Sequence, residues 1–397
     1  GGIVLAGVIL SHNIIALVTA GFLVLWLLID TLIAVIQPTT LNNLKKSICI
    51  LGIGLGLSAF FWLPALVEAP LTKSQHLIEG SNNYRDHFVY IDQLWNSPWG
   101  FAGSAPGRLD GISFMVGKVH FLLGLLSITI IVMQALRRRD VLIKIQSAKL
   151  IITFIGLLSA VYMILPVSLP VWEFLTPLAY VQYPWRFLVF ISFWLSVLGG
   201  GVVLLFDHQD KKTFWIIIVF VITIVGFNQK YFRPQFITQG KDTDYTSIEA
   251  TNWKISKISD EYLPREFPIP NKIDEIALSK FIPMGDIIAL SSEVKTNRIK
   301  LNVSAQNRAE IVFNIANFPG WQAVVDTEKV VSLQRERSLV VPVEKGTHVV
   351  SLSFTNTWIR NLGNIISLIG ILSILILCQV KQKNLDHGLD FIKYEKN

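Results

Sequence analysis

Tyr180-Val181-Gln182-Tyr183-Pro184-Trp185-Arg186-Phe187-Leu188 is the stretch on which the reading of the whole chain turns. It closes a proline-broken loop and opens an apolar run that continues to Phe206. Pro184 suits the first turn of a helix, where its missing N–H costs nothing. Tyr183 and Trp185 are residue types that favour the headgroup layer of a bilayer. Arg186, at the mouth of an apolar helix, is costly unless it reaches the interface or meets an anion. Two readings follow. One is an interfacial belt with a snorkelling arginine; the other is an arginine that holds a lipid phosphate at the rim of a membrane-embedded cavity.

Composition agrees with a membrane setting. The chain is 52% hydrophobic and 16% charged, with a mean hydropathy of +0.51. That is the make-up of a polytopic membrane protein rather than a soluble enzyme. The net charge of +7 does not signal nucleic acid, and none is expected as a partner, because the basic residues sit in short connections between apolar runs. Those runs cover residues 14–36, 48–67, 114–136, 150–165, 187–206, 214–227 and 362–380, with 3–10 reading as the tail of a further helix. About 20 residues are needed to cross the hydrocarbon core, so 150–165 and 214–227 must borrow flanking residues.

Lys45 and Lys46 lie in one connection, and Arg137, Arg138, Arg139, Lys144 and Lys149 in another. Lys211 and Lys212 lie in a third, and Lys381 and Lys383 follow the last run. Walking through the spans puts all of them on one side, which the positive-inside rule makes the cytoplasm. The opposite, outer side then holds Ser11-His12-Asn13, the loops 68–113 and 166–185, and the stretch from 228 to 360. From Arg298 onward apolar and polar residues alternate, as in Ile299-Lys300-Leu301-Asn302-Val303 and His348-Val349-Val350-Ser351-Leu352. Period-two segments separated by Pro-Gly, Asp-Thr-Glu-Lys and Lys-Gly turns predict an antiparallel, β-sandwich-like domain.

The expected architecture is an α-helical polytopic membrane bundle over residues 1–229 and an extracytoplasmic mixed/β domain over 230–360. A C-terminal transmembrane helix over 361–380 and a cytoplasmic tail over 381–397 complete it. Cys49 and Cys378 fall in apolar runs without metal-type spacing and read as small buried hydrophobes. The opening Gly-Gly-Ile-Val, without an initiator methionine or a signal-peptide pattern, reads as the start of a fragment.

No P-loop, HExxH, GxSxG or dinucleotide GxGxxG motif is present. The run Gly52-Ile53-Gly54-Leu55-Gly56 lies inside an apolar segment and reads as close helix packing. The candidate site residues are polar groups at outer helix ends. His12 and Asn13 sit at a junction between apolar segments; Asn13 reads as a helix cap, His12 alternatively as a ligand for a phosphate or sugar hydroxyl. Glu68, ending Phe60-Phe61-Trp62-Leu63-Pro64-Ala65-Leu66-Val67-Glu68, reads as a base, a metal ligand or a solvated end residue. Glu173 is the acidic residue of the 166–185 loop, placed either in water or facing Arg186.

Taken in order, several short motifs carry a resemblance. They are Leu10-Ser11-His12-Asn13, Phe60-Phe61-Trp62-Leu63-Pro64, Gln182-Tyr183-Pro184-Trp185-Arg186-Phe187, Asp260-Glu261-Tyr262-Leu263-Pro264 and Asn317-Phe318-Pro319-Gly320-Trp321. The set resembles bacterial membrane proteins of the pyruvoyl-tetrahydropterin-synthase-related membrane domain family. These look like relatives of the GT-C glycosyltransferases that use polyprenyl-phosphate sugars. The resemblance implies a multi-helix membrane core, an outer β-domain and sugar transfer from a lipid carrier to an extracytoplasmic glycan acceptor. It also implies, in some members, a divalent metal such as magnesium or manganese. From the residues themselves, Glu68 and Glu173 are the candidate catalytic carboxylates, and His12, Asn13, Tyr183, Trp185 and Arg186 the candidate substrate-binding residues, whereas the resemblance implies a catalytic aspartate or glutamate in a loop before Gly1. The alternative class is a non-catalytic membrane scaffold or lipid-linked glycan transporter with an outer binding domain.

Overall fold

A computed structural model describes the chain apart from residues 37–40, 138–140, 202–210, 235, 238, 255–259 and 395–397. The basic connection at Arg138 and Arg139 and the end of the 187–206 run therefore lie outside the described residues. The fold mixes helices with two antiparallel sheets. It divides into two compact units: Gly1–Ala16, Val24–His76 and Gly240–Asn397 form the first, Leu17–Leu23 and Leu77–Gln239 the second.

The helices are α1 (Gly2–Ser11), α2 (Asn13–Ile36), α3 (Leu41–Leu57), α4 (Ala59–Glu68), α5 (Ile91–Trp95) and α6 (Lys118–Arg137). They continue as α7 (Val141–Ile164), α8 (Leu169–Phe174), α9 (Leu188–Gly200), α10 (Lys211–Asn228), α11 (Thr243–Thr246) and α12 (Trp358–Tyr394). Among the described residues, 3 stretches are long and apolar enough to cross a membrane, Asn13–Leu32, Lys212–Phe232 and Trp358–Leu377, or up to 5 if each sharply bent pair is one span. Only 6% of the Asn13–Leu32 stretch is buried, so its apolar side chains need a non-aqueous neighbour. Cys49 is exposed on α3 rather than buried as expected; the side chain of Cys378 lies outside the described residues.

The run expected as one span over 48–67 is instead two helices, α3 and α4, bent by 72°. Pro64 lies inside α4, but the break falls at Ser58, where side chains satisfy the backbone groups that a bend exposes. The Ser367 hydroxyl of α12 accepts from the Phe60 N–H (2.9 Å) and donates to the Gly56 carbonyl (3.1 Å). Trp62 Nε1 donates to the Leu55 carbonyl at 2.9 Å, and Ser58 Oγ to that of Gly54 at 2.8 Å. Gly363, Ser367 and Gly370 share one face of α12. A Cβ on Gly363 would stand 2.8 Å from the Ala59 oxygen. Of the glycine run of α3, Gly54 alone packs closely: a Cβ there would stand 2.6 Å from Leu5, whereas one on Gly56 would be in ordinary contact, 3.9 Å from Gly370, and one on Gly52 would meet open space.

Strands β1 (Phe281–Met284), β4 (Ala309–Phe313), β8 (Ser338–Val343) and β7 (Leu333–Arg335) form one sheet in the order β1-β4-β8-β7. Strands β2 (Ile287–Val294), β3 (Arg298–Ala305), β9 (Gly346–Phe354), β5 (Trp321–Val325) and β6 (Glu328–Val330) form the other, in the order β2-β3-β9-β5-β6. Inward residues of both sheets share one core: Ile299, Leu301, Val350 and Leu352 from one, Ile311, Phe313, Leu339 and Val341 from the other. The alternation seen in the sequence is this core. β3 reads exposed, buried, exposed, buried along its first residues, while the edge strand β2 is buried only at Ile287. The Asp260-Glu261-Tyr262-Leu263-Pro264 motif straps the residues after α4. Lys73 N donates to the Leu263 carbonyl (2.9 Å), Arg265 N to that of Leu71 (2.8 Å), and His76 Nδ1 lies 2.9 Å from Asp260 Oδ2.

One side-chain pair makes this domain sensitive to pH. His348 Nδ1 on β9 lies 2.8 Å from Asp326 Oδ2, and Asp326 Oδ1 accepts from the Val349 N–H at 2.8 Å. The hydrogen bond that His348 donates to Asp326 raises the pKa of His348 against the opposing effect of burial. The same bond, with the Val349 N–H, lowers that of Asp326. The His348 contribution is complete below about 6.5 and lost as pH rises through its raised folded value. The Asp326 contribution is complete above about 3.9 and lost as pH falls through its depressed value. Hydrogen exchange of the β9 amides, corrected for intrinsic rate, should therefore show protection declining as pH rises above about 6.5, and His348→Gln should flatten that decline. A wild-type profile level from pH 6 to 9 would reject the pairing as a source of stability.

Candidate functional site

The second unit is built on aromatic packing. Trp172 of α8 is 1% exposed, stacks on Tyr84 at 5.1 Å, and meets Phe88 and Phe187 edge-on at 5.9 and 6.0 Å. Its indole N–H donates to the Met163 carbonyl at 3.1 Å. The chain turns 90° between α7 and α8, which brings Trp172 under the 77–116 loop. The Val89 N–H closes that contact on the Ile164 carbonyl at 2.9 Å. Glu173, next along α8, pairs with Arg85 at 3.0 Å, both side chains about half exposed. Glu173 therefore does not pair with Arg186.

Arg186 is held by its own loop. Its Nη1 donates to the Val181 carbonyl and to Gln182 Oε1, both at 2.8 Å, and the guanidinium lies over the Tyr183 ring at 4.9 Å. Burial partly desolvates it, and among the described residues no carboxylate pairs with it. Gln182, which the sequence reading passed over, is the residue that shapes this loop. It has φ 64 and ψ −48, and the Tyr183 N–H bonds the Val181 carbonyl at 2.7 Å across it. This is a γ-turn of the positive-φ kind, which is rare and strained. Strain of this type persists only where surroundings enforce it. Here Gln182 is 6% exposed and its Nε2 donates to the Leu77 carbonyl at 2.8 Å.

Tyr183 and Trp185 stack on each other, with centroids 5.3 Å apart and planes at 19°. They form a wall rather than two open platforms. Tyr183 also donates its hydroxyl to Asn82 Oδ1 at 2.6 Å and meets the His87 ring edge-on at 4.8 Å. Beside them lies a cavity of about 320 Å³ lined by His87, Gly103, Ser104, Ile112, Tyr183 and Trp185. That is the lower end of the range for small-molecule sites, about 300–1,000 Å³. Behind its polar wall stands Asp110, 7% exposed. Asp110 Oδ1 accepts from Ser104 Oγ and the Ala105 N–H, both at 3.0 Å, and Oδ2 from Gln93 Nε2 at 2.8 Å. His87 Nδ1 lies 3.0 Å from Ser104 Oγ.

His12, Asn13 and Glu68 belong to the first unit; Glu173, Tyr183, Trp185 and Arg186 belong to the second. His12 takes the capping role expected of Asn13: its Nδ1 accepts from the Ile15 N–H at 3.4 Å, while Asn13 is already the first residue of α2. Glu68 has both oxygens engaged. Oε1 accepts from Thr357 Oγ1 at 2.7 Å, and Oε2 from Arg360 Nε and Nη2 at 3.1 and 2.7 Å. Of the residues named from sequence, the structure thus gathers Tyr183, Trp185 and Arg186, and adds His87, Ser104, Asp110 and Gln182. His87 and Asp110 were visible as polar residues of the long outer loop, but nothing in their spacing joined them. Among the described residues no three His, Cys, Asp or Glu side chains gather as a metal site would require. Compared with models of known families, with curated proteins and with solved structures, the chain gives no match.

Proposed function

We propose that this is a membrane glycosyltransferase-like protein of the GT-C type. It transfers a sugar from a polyprenyl-phosphate carrier to an extracytoplasmic acceptor in cell-envelope glycan or glycoprotein assembly. The observation that carries this reading is Arg186, a partly desolvated guanidinium with no carboxylate partner among the described residues. Through the Tyr183 ring it adjoins a small cavity. A guanidinium binds phosphate oxygens as a fork, and charge developing on a leaving phosphate is best met by a donor already in place. On this reading the apolar helices form a membrane bundle, and the basic connections and C-terminal tail are cytoplasmic. The 68–113 and 166–185 loops and the β-domain then face outward, with Trp321, edge-on to Phe354 at 5.1 Å, closing one end of the sandwich.

A second reading, a scaffold or lipid-linked glycan transporter, is favoured by one observation: the helix pairs bent by 72° and 90°. Discontinuous helices are common at transporter binding sites. The transferase and transporter readings both need a phosphate-binding Arg186, and a scaffold does not. Polyprenyl phosphate without a sugar, titrated into protein in lipid nanodiscs, should bind Arg186→Ala at least about tenfold more weakly than wild type, as loss of a charge-assisted bond implies. Equal binding by the two would reject the phosphate role.

A further inference from the structure

We infer that Trp95, Trp99 and Tyr231, with Lys118 and Lys230 over two of their rings, form a surface that docks in the phospholipid headgroup layer at the outer end of the spans. The lysines there meet lipid phosphate. The inference rests on the membrane part of the proposed reading and not on sugar transfer.

Each tryptophan reaches the end of a different helix. Trp95 meets Phe121 of α6 edge-on at 5.6 Å, and Lys118, the first residue of α6, stands over the Trp95 ring at 5.2 Å. Trp99 meets Tyr231, just past α10, at 4.8 Å, and Lys230 lies over the Tyr231 ring at 5.0 Å. Phe101 extends the row, edge-on to Trp99 at 4.9 Å. The residue steps from Trp95 to Trp99 reach at most about 14 Å, so the start of α6 and the end of α10 lie side by side. A cation in the first turn of a helix works against the helix dipole, so Lys118 is not there to stabilise α6.

Three observations say what covers this surface. It continues a span: Lys212–Phe232 is long and apolar enough to cross a bilayer, only 6% of it is buried, and Tyr231 and Phe232 are its last residues. Its rings are of the types that gather where hydrocarbon gives way to headgroups, and they stand open, Trp95 at 44% and Phe232 at 88% exposure. Both lysines are exposed, and among the described residues neither has a carboxylate partner. A lysine that lays its stem along a ring keeps its ammonium in the polar layer, with three donors to offer a phosphate. Gly103 and Ser104, a few residues beyond Trp99, line the cavity beside Tyr183. Docking therefore holds that cavity close to the headgroups, within reach of a substrate that stays in the bilayer.

The experiment places a nitroxide on Asn96→Cys, at an exposed position between the two tryptophans, or on Val221→Cys of α10. The full chain, carrying Cys49→Ser and Cys378→Ser, is reconstituted in phosphatidylcholine–phosphatidylglycerol vesicles. Depth is read from collisions with oxygen, enriched in hydrocarbon, against those with a nickel chelate confined to water. The Asn96 label should sit at the headgroup–acyl boundary, shallower than the Val221 label. Lys118→Gln/Lys230→Gln should move it toward water, lowering the ratio of docked to undocked segment about fivefold per lysine, while Lys118→Arg/Lys230→Arg should leave it in place. An Asn96 label in bulk water, or one that the glutamine pair does not move, with the Val221 label in hydrocarbon, would overturn the docking surface alone. A Val221 label in water would overturn the membrane reading, and the docking with it.

Discussion

Arg360→Leu is expected to destabilise the first unit by about 1–3 kcal/mol, the cost of leaving a part-buried carboxylate without its charged partner. Arg360 and Glu68 side chains are 16% and 12% exposed, so water replaces the lost guanidinium only in part. Arg360 also lies over the rings of Phe354 and Phe318, at 4.7 and 5.7 Å. The pair ties the end of α4 to the start of α12, the helices that also meet through Ser367 at the Ser58 break. Because the penalty is mainly the orphaned carboxylate, Glu68→Leu/Arg360→Leu should recover most of it. Denaturant unfolding in mixed micelles measures both variants. A double variant no more stable than Arg360→Leu would show that the arginine acts through its ring contacts rather than through Glu68.

Gly320→Ala should cost about 2–5 kcal/mol, from backbone strain and overpacking together. Gly320 has φ +119, and a Cβ there would stand 2.6 Å from the Thr355 carbonyl oxygen. The turn cannot move away, because the Gly320 carbonyl accepts from both the N–H (2.8 Å) and the Oγ1 (3.0 Å) of Thr355. This gives the Asn317-Phe318-Pro319-Gly320-Trp321 motif a physical meaning: it seats the β5 end of the sandwich against the last residues before α12. The same unfolding assay serves, and a change within about 0.5 kcal/mol, ordinary for a surface substitution, would contradict the tight turn.

Much of the β-domain was legible in the sequence because strands such as β3 and β4 bury every second residue. The segments read at 299–303 and 348–352 fall on β3 and β9. The strands ahead of Arg298, β1 and β2, are edges. β2 presents Ile288 and Leu290 outward and so shows no alternation, and β1 carries Pro283, which an edge strand tolerates. Apolar length alone could not reveal the break at Ser58, since the groups that stabilise it come from Ser367, 309 residues later by number and adjacent only once folded. The site was legible in part for the same reason. Tyr183, Trp185 and Arg186 are neighbours in sequence, whereas the Asp110–Ser104–His87 chain closes through a loop whose residues have no fixed period. Gln182 was hidden differently: its role depends on a positive φ that nothing in the local sequence demands.

The measurement that bears most directly on the account is sugar transfer by the full chain in membranes, with wild type and Arg186→Ala supplied with polyprenyl-phosphate sugars. The account predicts transfer by wild type and its loss in Arg186→Ala, with membrane insertion unchanged. Transfer undiminished in Arg186→Ala, or none by correctly inserted wild type from any donor, would contradict it.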